Sequence, residues 1–209
     1  MSTAHNLTTP KRQISISQNS EKNINVKIGT VEDFKKLEKL DYTNTMNKIF
    51  QVDYENYQIE ISEVDLEEPI VNDSHEYSQE LAEEMLPKLN DKSYIPLVVY
   101  VDNEPAGYML NQWQFWSKGK VMINHGILVA NKYARQGLAK KLIEKSIQIA
   151  QEDDKCQGIH VEMCTFKYQV NKLLLSMGFM FAGTKFFIWH NDLPYKNSKE
   201  ALYFYYKIK

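Results

Sequence analysis

The sequence has few cysteines, no long apolar run and almost no net charge, and each absence excludes a class of protein. Its 2 cysteines, Cys156 and Cys164, are too few for the disulfide framework that holds many small secreted domains together. The amino-terminal residues 1–13 are polar and contain no apolar segment of the kind found in a secretory signal. We therefore expect a cytoplasmic protein in a reducing environment.

The charge balance argues against two kinds of partner. The chain has 25 basic and 27 acidic side chains, a formal net charge of −2, whereas nucleic-acid-binding proteins usually present a basic face to phosphates. No apolar run approaches the roughly 20 residues that a membrane-spanning helix needs. We expect neither a nucleic-acid nor a membrane partner, and no pattern of metal ligands predicts a metal.

The length of 209 residues suits one domain with a buried core. Residues 1–23 are polar throughout and predict a flexible amino-terminal arm, which leaves residues 24–209 as the folded domain.

The segment 121–152 predicts a strand, a short polar turn and a long helix. Residues 121–129 are rich in β-branched and aliphatic side chains, and from Leu138 onward apolar residues recur with helical spacing. Gly137 and Ala139 lie at the start of the helix, where N–H groups without partners and the helix dipole favour an anion such as phosphate. An ordinary strand–turn–helix unit explains the same pattern, and both interpretations stay open at this point.

Short strands and helices flank this segment. The expected strands span 24–28, 97–101, 106–115, 159–164, 179–182, 185–190 and 201–208, and the expected helices 31–40, 74–86 and 168–177. The strand at 159–164 must run parallel to 121–129 if the helix between them is a crossover. Residues 41–56 look irregular, and residues 57–66 alternate weakly, as a strand would. The acidic stretch 60–68 predicts a solvated loop or edge, with a negative rim for a cationic amine as the functional alternative.

The residues VANKYARQGLAKKLI resemble the acetyl-CoA pyrophosphate loop of the GNAT superfamily of N-acetyltransferases, whose pattern is Arg/Gln-x-x-Gly-x-Gly/Ala. Gly137 and Ala139 match this pattern, while Ala134 departs from it and Arg135 follows immediately. Farther along, VVYVDNEPAGYM, GIHVEMCTFKYQVNKLLLSMGF and ALYFYYK resemble streptothricin acetyltransferases most closely. The resemblance implies a single α/β domain with a mixed, mostly antiparallel sheet, splayed at the cofactor strand and flanked by helices.

The resemblance also implies a function, an acetyl-CoA-dependent transfer of an acetyl group to a primary amine of a small molecule. It assigns the pantetheine of acetyl-CoA to a strand edge and the phosphates to the loop and two lysines. These expected cofactor-binding residues are Ile127, Leu128, Val129, Arg135, Gln136, Gly137, Leu138, Ala139, Lys140, Lys167 and Lys172. Either lysine is equally explained as a solvated surface residue, and a homodimer through the last strands would suit the superfamily.

Two residues are expected to handle the proton. His125 occupies a position where the resembled enzymes carry an acid, and a histidine with an ordinary pKa of about 6.5 is mostly neutral at pH 7 and can accept a proton. Glu162 falls on another family acid, as a base or as the counter-ion of the amine. A strand histidine that only bonds a neighbour remains the alternative for His125, and His160 shares the expected face of Glu162.

Besides Ala134, the resemblance fails at two further positions. The family tyrosine that is aimed at the CoA sulfur falls on Leu174, and the family asparagine at the start of the same helix falls on Lys167. A second function therefore stays open, that of a catalytically degenerate acyl-CoA-binding sensor or interaction module.

Overall fold

A seven-stranded mixed sheet forms the centre of the molecule, in the order β1-β4-β5-β6-β7-β9-β8. The computed structural model describes residues 22–55, 58–72, 86–116, 119–185 and 200–208. The strands are β1 Ile24–Ile28, β2 Asn44–Glu55, β3 Gln58–Asn72, β4 Tyr94–Val101, β5 Glu104–Trp116, β6 Gly119–Val129, β7 Cys156–Cys164, β8 Met180–Lys185 and β9 Ala201–Lys207. The helices are α1 Val31–Leu37, α2 Leu138–Gln151 and α3 Tyr168–Ser176, with short 3₁₀ turns at Leu86–Asn90 and Asn131–Tyr133.

One pair of neighbouring strands in this sheet is parallel. β6 and β7 run in the same direction, because α2 carries the chain back to the starting edge between them, while the other described neighbours are antiparallel. Before the long helix, β4, β5 and β6 form three consecutive antiparallel strands.

The parallel pair separates before either strand ends. β6 pairs with β7 only from Lys120 to Asn124, although β6 continues to Val129 and β7 to Cys164. The predicted splay at residues 127–129 is therefore confirmed, and it opens a gap beside that segment of β6.

Helices pack on both faces of the sheet. The apolar stripe of α2, with Leu138, Leu142 and Ile143 almost fully buried, joins the larger core. Such side chains stabilise the fold by about 2 kcal/mol each on transfer from water. α1 belongs to a second core with Phe34 and Leu37, and it begins at a capping box formed by Thr30 and Asp33.

The structure corrects the region between α1 and β4. α1 ends at Leu37, three residues early, and the irregular segment 41–56 and acidic loop 60–68 are in fact β2 and β3. These strands pair only with each other, in a separate two-stranded sheet. The acidic side chains of β3 are exposed to solvent, while Phe50 and Val52 of β2 join the core. The many charged residues therefore obscured the alternation of buried and exposed positions in the sequence.

Several expectations lie outside the described residues, namely most of the amino-terminal arm, the helix at 74–86 except its last residue and most of the strand at 185–190. Among the residues that are described, no helix combines the length and apolar character required to cross a bilayer. Neither Cys156 nor Cys164 takes part in a disulfide with another described residue.

Candidate active site

The splayed segment of β6 offers one backbone edge to a ligand. Its other edge is occupied, because Ile127, Leu128 and Val129 pair with Met109, Tyr108 and Gly107 of β5. On the β7 side, no strand among the described residues pairs with positions 125–129. Exposed backbone N–H and C=O groups in an extended segment can bind an extended ligand as a further strand would bind. The predicted pantetheine segment thus has the edge that it needs.

A β-bulge interrupts the pairing of β5 with β6 just before this segment. Asn111 pairs with Asn124 and Leu110 with Gly126, which leaves His125 as the extra residue. A bulge bends its strand and changes the direction of a side chain, and bulges are frequent beside active sites. No local pattern in the sequence predicts this bulge, because the register depends on β5.

The ring of His125 is exposed but held in place. Its Nε2 lies 2.9 Å from Oε1 of Gln112, and its ring centre lies 5.8 Å from that of Tyr94. An amide oxygen only accepts hydrogen bonds, so Nε2 carries the proton and the lone pair is on Nδ1. Nδ1 is therefore the atom that can accept a proton.

The surroundings of His125 lower its pKa below the ordinary value of 6.5. Partial desolvation of the ring is the main cause, and the positive charge of Lys88 adds to it, while the negative charge of Glu162 opposes both. A lowered pKa leaves the imidazole neutral at pH 7, as a general base requires.

Glu162 lies on β7 among partners from two other strands. It is directly opposite Tyr203 of β9 in the strand register, and Nζ of Lys185 on β8 is 3.8 Å from its Oε1. The pKa of Tyr203 is raised, first by desolvation and then by its hydrogen bond to Glu162. Asn124, the residue before His125, pairs with Val161, the residue before Glu162, so the two predicted catalytic residues directly follow the last register pair of β6 and β7 and lie where these strands separate. His160, by contrast, packs its ring 4.8 Å from that of Tyr205.

The predicted phosphate loop precedes α2 in a conformation that favours small residues. Arg135 and Gly137 have positive φ angles of 63° and 75°, and Gly137 is the N-cap of α2 without a side-chain capping bond. A Cβ built on Gly137 would meet no atom within 4 Å, so there is room for a ligand to approach the first-turn N–H groups. This loop fits a phosphate-bearing cosubstrate.

Side chains of the loop contact neighbouring parts of the chain. Arg135 donates from Nη1 to Oε1 of Gln169 on α3 over 3.2 Å, and Gln136 accepts from Nζ of Lys22 over 3.0 Å. The loop is thereby tied to α3 and to the residues before β1. Lys140 faces Glu144 of its own helix at 3.7 Å.

Replacement of Gly137 by alanine is expected to weaken CoA binding by about tenfold or more. A non-glycine residue in the left-handed region costs roughly 1 kcal/mol, and the added methyl group would project where the phosphates approach. Calorimetric titration with CoA measures the loss, and Gly183→Ala on β8 serves as the control because it also has a positive φ but lies outside the loop. Equal CoA affinity in both variants would contradict the assignment of the loop.

The two predicted CoA lysines already have local partners. Lys172 forms an ion pair with Glu63 of β3, and the hydroxyl of Tyr168 donates to the same carboxylate over 2.6 Å. Lys167 has its Nζ 5.4 Å from the ring centre of Phe166. Their contact with CoA stays a prediction, and for Lys172 it requires an exchange of partner. The link of β3 to α3 through Glu63 had no signal in the sequence.

Leu174 lies in the larger core and is fully buried. An aliphatic side chain there cannot donate a proton, so this helix lacks an acid at the position where the resembled enzymes carry tyrosine. No group of three or more histidine, cysteine or acidic side chains in the described part of the chain could hold a metal ion.

The sequence profile of the Acetyltransferase (GNAT) family matches residues 53–179, more than half of the chain. The chain belongs to the GNAT acetyltransferase family. Members of this GNAT family use acetyl-CoA, and the splayed β6 and the open phosphate loop are suited to it. No curated protein sequence matches the chain.

Solved structures share this GNAT fold at low sequence identity. A Bacillus anthracis protein described as a streptothricin acetyltransferase, solved with acetyl coenzyme A, has a TM-score of 0.69 and 19% identity over 88% of this chain and 99% of its own. A nourseothricin acetyltransferase has a TM-score of 0.69 and 17% identity over 89% and 99%. The ribosomal-protein-S18-alanine N-acetyltransferase of Escherichia coli has a TM-score of 0.58 and 12% identity over 89% and 94%.

Proposed function

We propose that this GNAT protein transfers the acetyl group of acetyl-CoA to a primary amine of a small molecule. The observation that carries the proposal is the neighbourhood of His125 and Glu162 beside the splayed edge of β6. Acetyl-CoA supplies an activated acyl thioester, and the chain supplies the groups that hold and deprotonate the acceptor. The small-molecule acceptor is supported by the similarity to the streptothricin and nourseothricin acetyltransferases.

Each residue has a role that follows from its chemistry. His125 accepts the proton of the amine at Nδ1, because Nε2 is already committed to Gln112. The amine nitrogen forms the C–N bond as the C–S bond of the thioester breaks, and CoA leaves as a thiolate that takes its proton from water. Glu162 attracts the ammonium form of the acceptor and holds it near His125, in exchange for its present long contact with Lys185. Backbone N–H groups of Leu128 or Val129 offer hydrogen bonds to the acetyl oxygen, where such donors contribute about 3 kcal/mol when well aligned.

An acetyl-CoA consumption assay over a panel of amines tests the proposal. The panel contains polyamines, amino-sugar antibiotics, free amino acids and peptides with a free N-terminus or lysine, and mass spectrometry detects the acetylated product. Turnover of a small-molecule amine is the expected result. Turnover of peptides alone would refute the small-molecule acceptor and would instead match the activity in the name of the Escherichia coli neighbour.

A second candidate function is that of an acyl-CoA-binding sensor or interaction module. The buried Leu174 favours it, since it removes the phenol that the resembled enzymes carry. Calorimetric binding of acetyl-CoA without turnover of any amine would favour the sensor. Absence of CoA binding would exclude both functions.

A further inference from the structure

Three polar side chains lie inside the apolar core. Asn111, Asn124 and Ser146 are 0%, 2% and 0% exposed. Nδ2 of Asn124 lies 3.3 Å from Oδ1 of Asn111, and Nδ2 of Asn111 donates to Oγ of Ser146 over 2.9 Å. Ser146 in turn donates to the sulfur of Met109 over 3.2 Å. A buried polar network therefore links β5, β6 and α2.

Stability alone is a poor explanation of this network. Buried hydrogen bonds contribute little net free energy, because the unfolded chain forms equivalent bonds with water, and apolar residues of similar shape often serve as well. One acceptor is also left over, since Oδ1 of Asn124 is buried and meets no hydrogen-bond donor among the described residues. Native proteins seldom leave a buried polar atom in that condition. The position of the network is more informative than its energy.

Asn124 lies where the pairing of β6 changes on both edges, because its pairing with β7 ends there and its register with β5 is interrupted by the bulge. It is the last residue of β6 that pairs with β7, and it directly precedes the bulged His125. Its Nδ2 lies 3.2 Å from the carbonyl oxygen of Leu110 and 3.3 Å from that of Gly126, in addition to Asn111. Two N–H groups thus serve three acceptors, two of them on the adjacent strand β5 and one on β6 beyond the bulge.

Open space adjoins the same bulge. A Cβ built on Gly126 would meet no atom within 4 Å. Gly126 is opposite Leu110 of the α1-side core, so this space is on the α1 face of the sheet. An acyl group or an amine bound in this space would lie close to His125, the residue that precedes Gly126.

We propose that Asn124 is a positioning residue, an inference that rests on the proposed function. Its buried amide holds the bulge that directs His125 toward the space beside Gly126 and releases the edge at 127–129 from β7. The hydrogen bonds of the amide perform this role, and the volume of the side chain does not. Asn124 itself touches neither the acceptor nor the thioester.

The test replaces Asn111 and Asn124 together by leucine, which has the same branching and leaves neither amide without its partner. We expect a folded protein that still binds CoA through the untouched phosphate loop, with an affinity that falls by no more than about tenfold because only the contacts at 127–129 are disturbed. The kcat for acetyl transfer should fall about 30-fold or more, since a misplacement of about 1 Å can cost about 100-fold. The NMR titration of the His125 ring should move toward the ordinary histidine pKa.

Ser146→Ala is the matched control, because it removes the outer end of the network and keeps the contacts of Asn124 with Leu110 and Gly126. Its kcat and its His125 titration should equal those of the unaltered protein. If the double variant does not fold, Asn124→Asp gives the same comparison, as it keeps the shape and lacks both N–H donors.

The outcomes separate the two proposals. Unchanged kcat and an unchanged His125 titration in the double variant would overturn the role of Asn124 and leave the proposed function intact. If the unaltered protein acetylates no amine, the proposed function fails, and the shift of the His125 titration still decides whether Asn124 positions the ring.

Discussion

His125→Ala is expected to lower kcat/KM for acetyl transfer by about 100-fold or more, the usual contribution of a general base. In the unaltered protein, kcat/KM should rise with pH through the pKa of His125 and reach a plateau once the ring is neutral. Because desolvation and Lys88 lower that pKa below 6.5, the rise should lie on the acid side of neutrality. The variant should lose this acid limb, which rate measurements from mildly acid to neutral pH will show.

Gln112→Glu provides the matched test of the same assignment. It keeps the contact to Nε2 of His125 but adds a negative charge, which favours the protonated ring and raises its pKa by about one unit or more. The acid limb should therefore move to higher pH without disappearing. A limb that stays in place in Gln112→Glu would assign the titration to another group, and His125 would then be a structural histidine.

Glu162→Gln is expected to lower kcat/KM by about 10- to 100-fold, the equivalent of losing a hydrogen bond to a charged group. The loss should appear mainly in KM for a cationic amine, because the amide keeps the size of the side chain and removes its charge. Initial rates as a function of amine concentration, with acetyl-CoA saturating, separate the two parameters. A fall in kcat at neutral pH, with KM for the amine unchanged, would instead favour Glu162 as the base.

Two further variants test this interpretation of Glu162→Gln. Glu60→Gln removes the same charge from the exposed acidic strand β3 and should change kcat/KM by no more than about twofold if Glu162 is the group that attracts the amine. Lys185→Ala frees Glu162 from its contact at 3.8 Å and should lower KM for the amine. Equal effects of Glu162→Gln and Glu60→Gln would mean that only the overall acidity of the protein attracts the acceptor.

The cofactor half of the site was predictable because its signals are local. Gly137 had to be a small residue, since the backbone there has a φ of 75°, and the apolar spacing from Leu138 onward defines a helix whose N-terminus attracts phosphates. The parallel pairing of β6 and β7 also followed from the length of the crossover. Each of these features depends on residues that are close in sequence, within one helical turn or one connection between strands.

The acceptor half was less predictable because its partners are distant in sequence. His125 and Glu162 were identified by position, but the contact of His125 with Gln112 depends on the β5–β6 register and on a bulge. The acidic stretch that suggested a loop is a strand, since pairing with β2 offsets the low strand propensity of its charges. Lys172, expected at CoA, contacts Glu63 of that strand.

The sequence by itself thus determined the family, the order of most strands and the phosphate loop, because backbone conformation and side-chain periodicity encode them locally. The tertiary structure decided which nitrogen of His125 can accept a proton, which residues surround Glu162 and how Asn124 spans the bulge. Each of these depends on strands brought together from far along the chain, where register and not composition sets the neighbours.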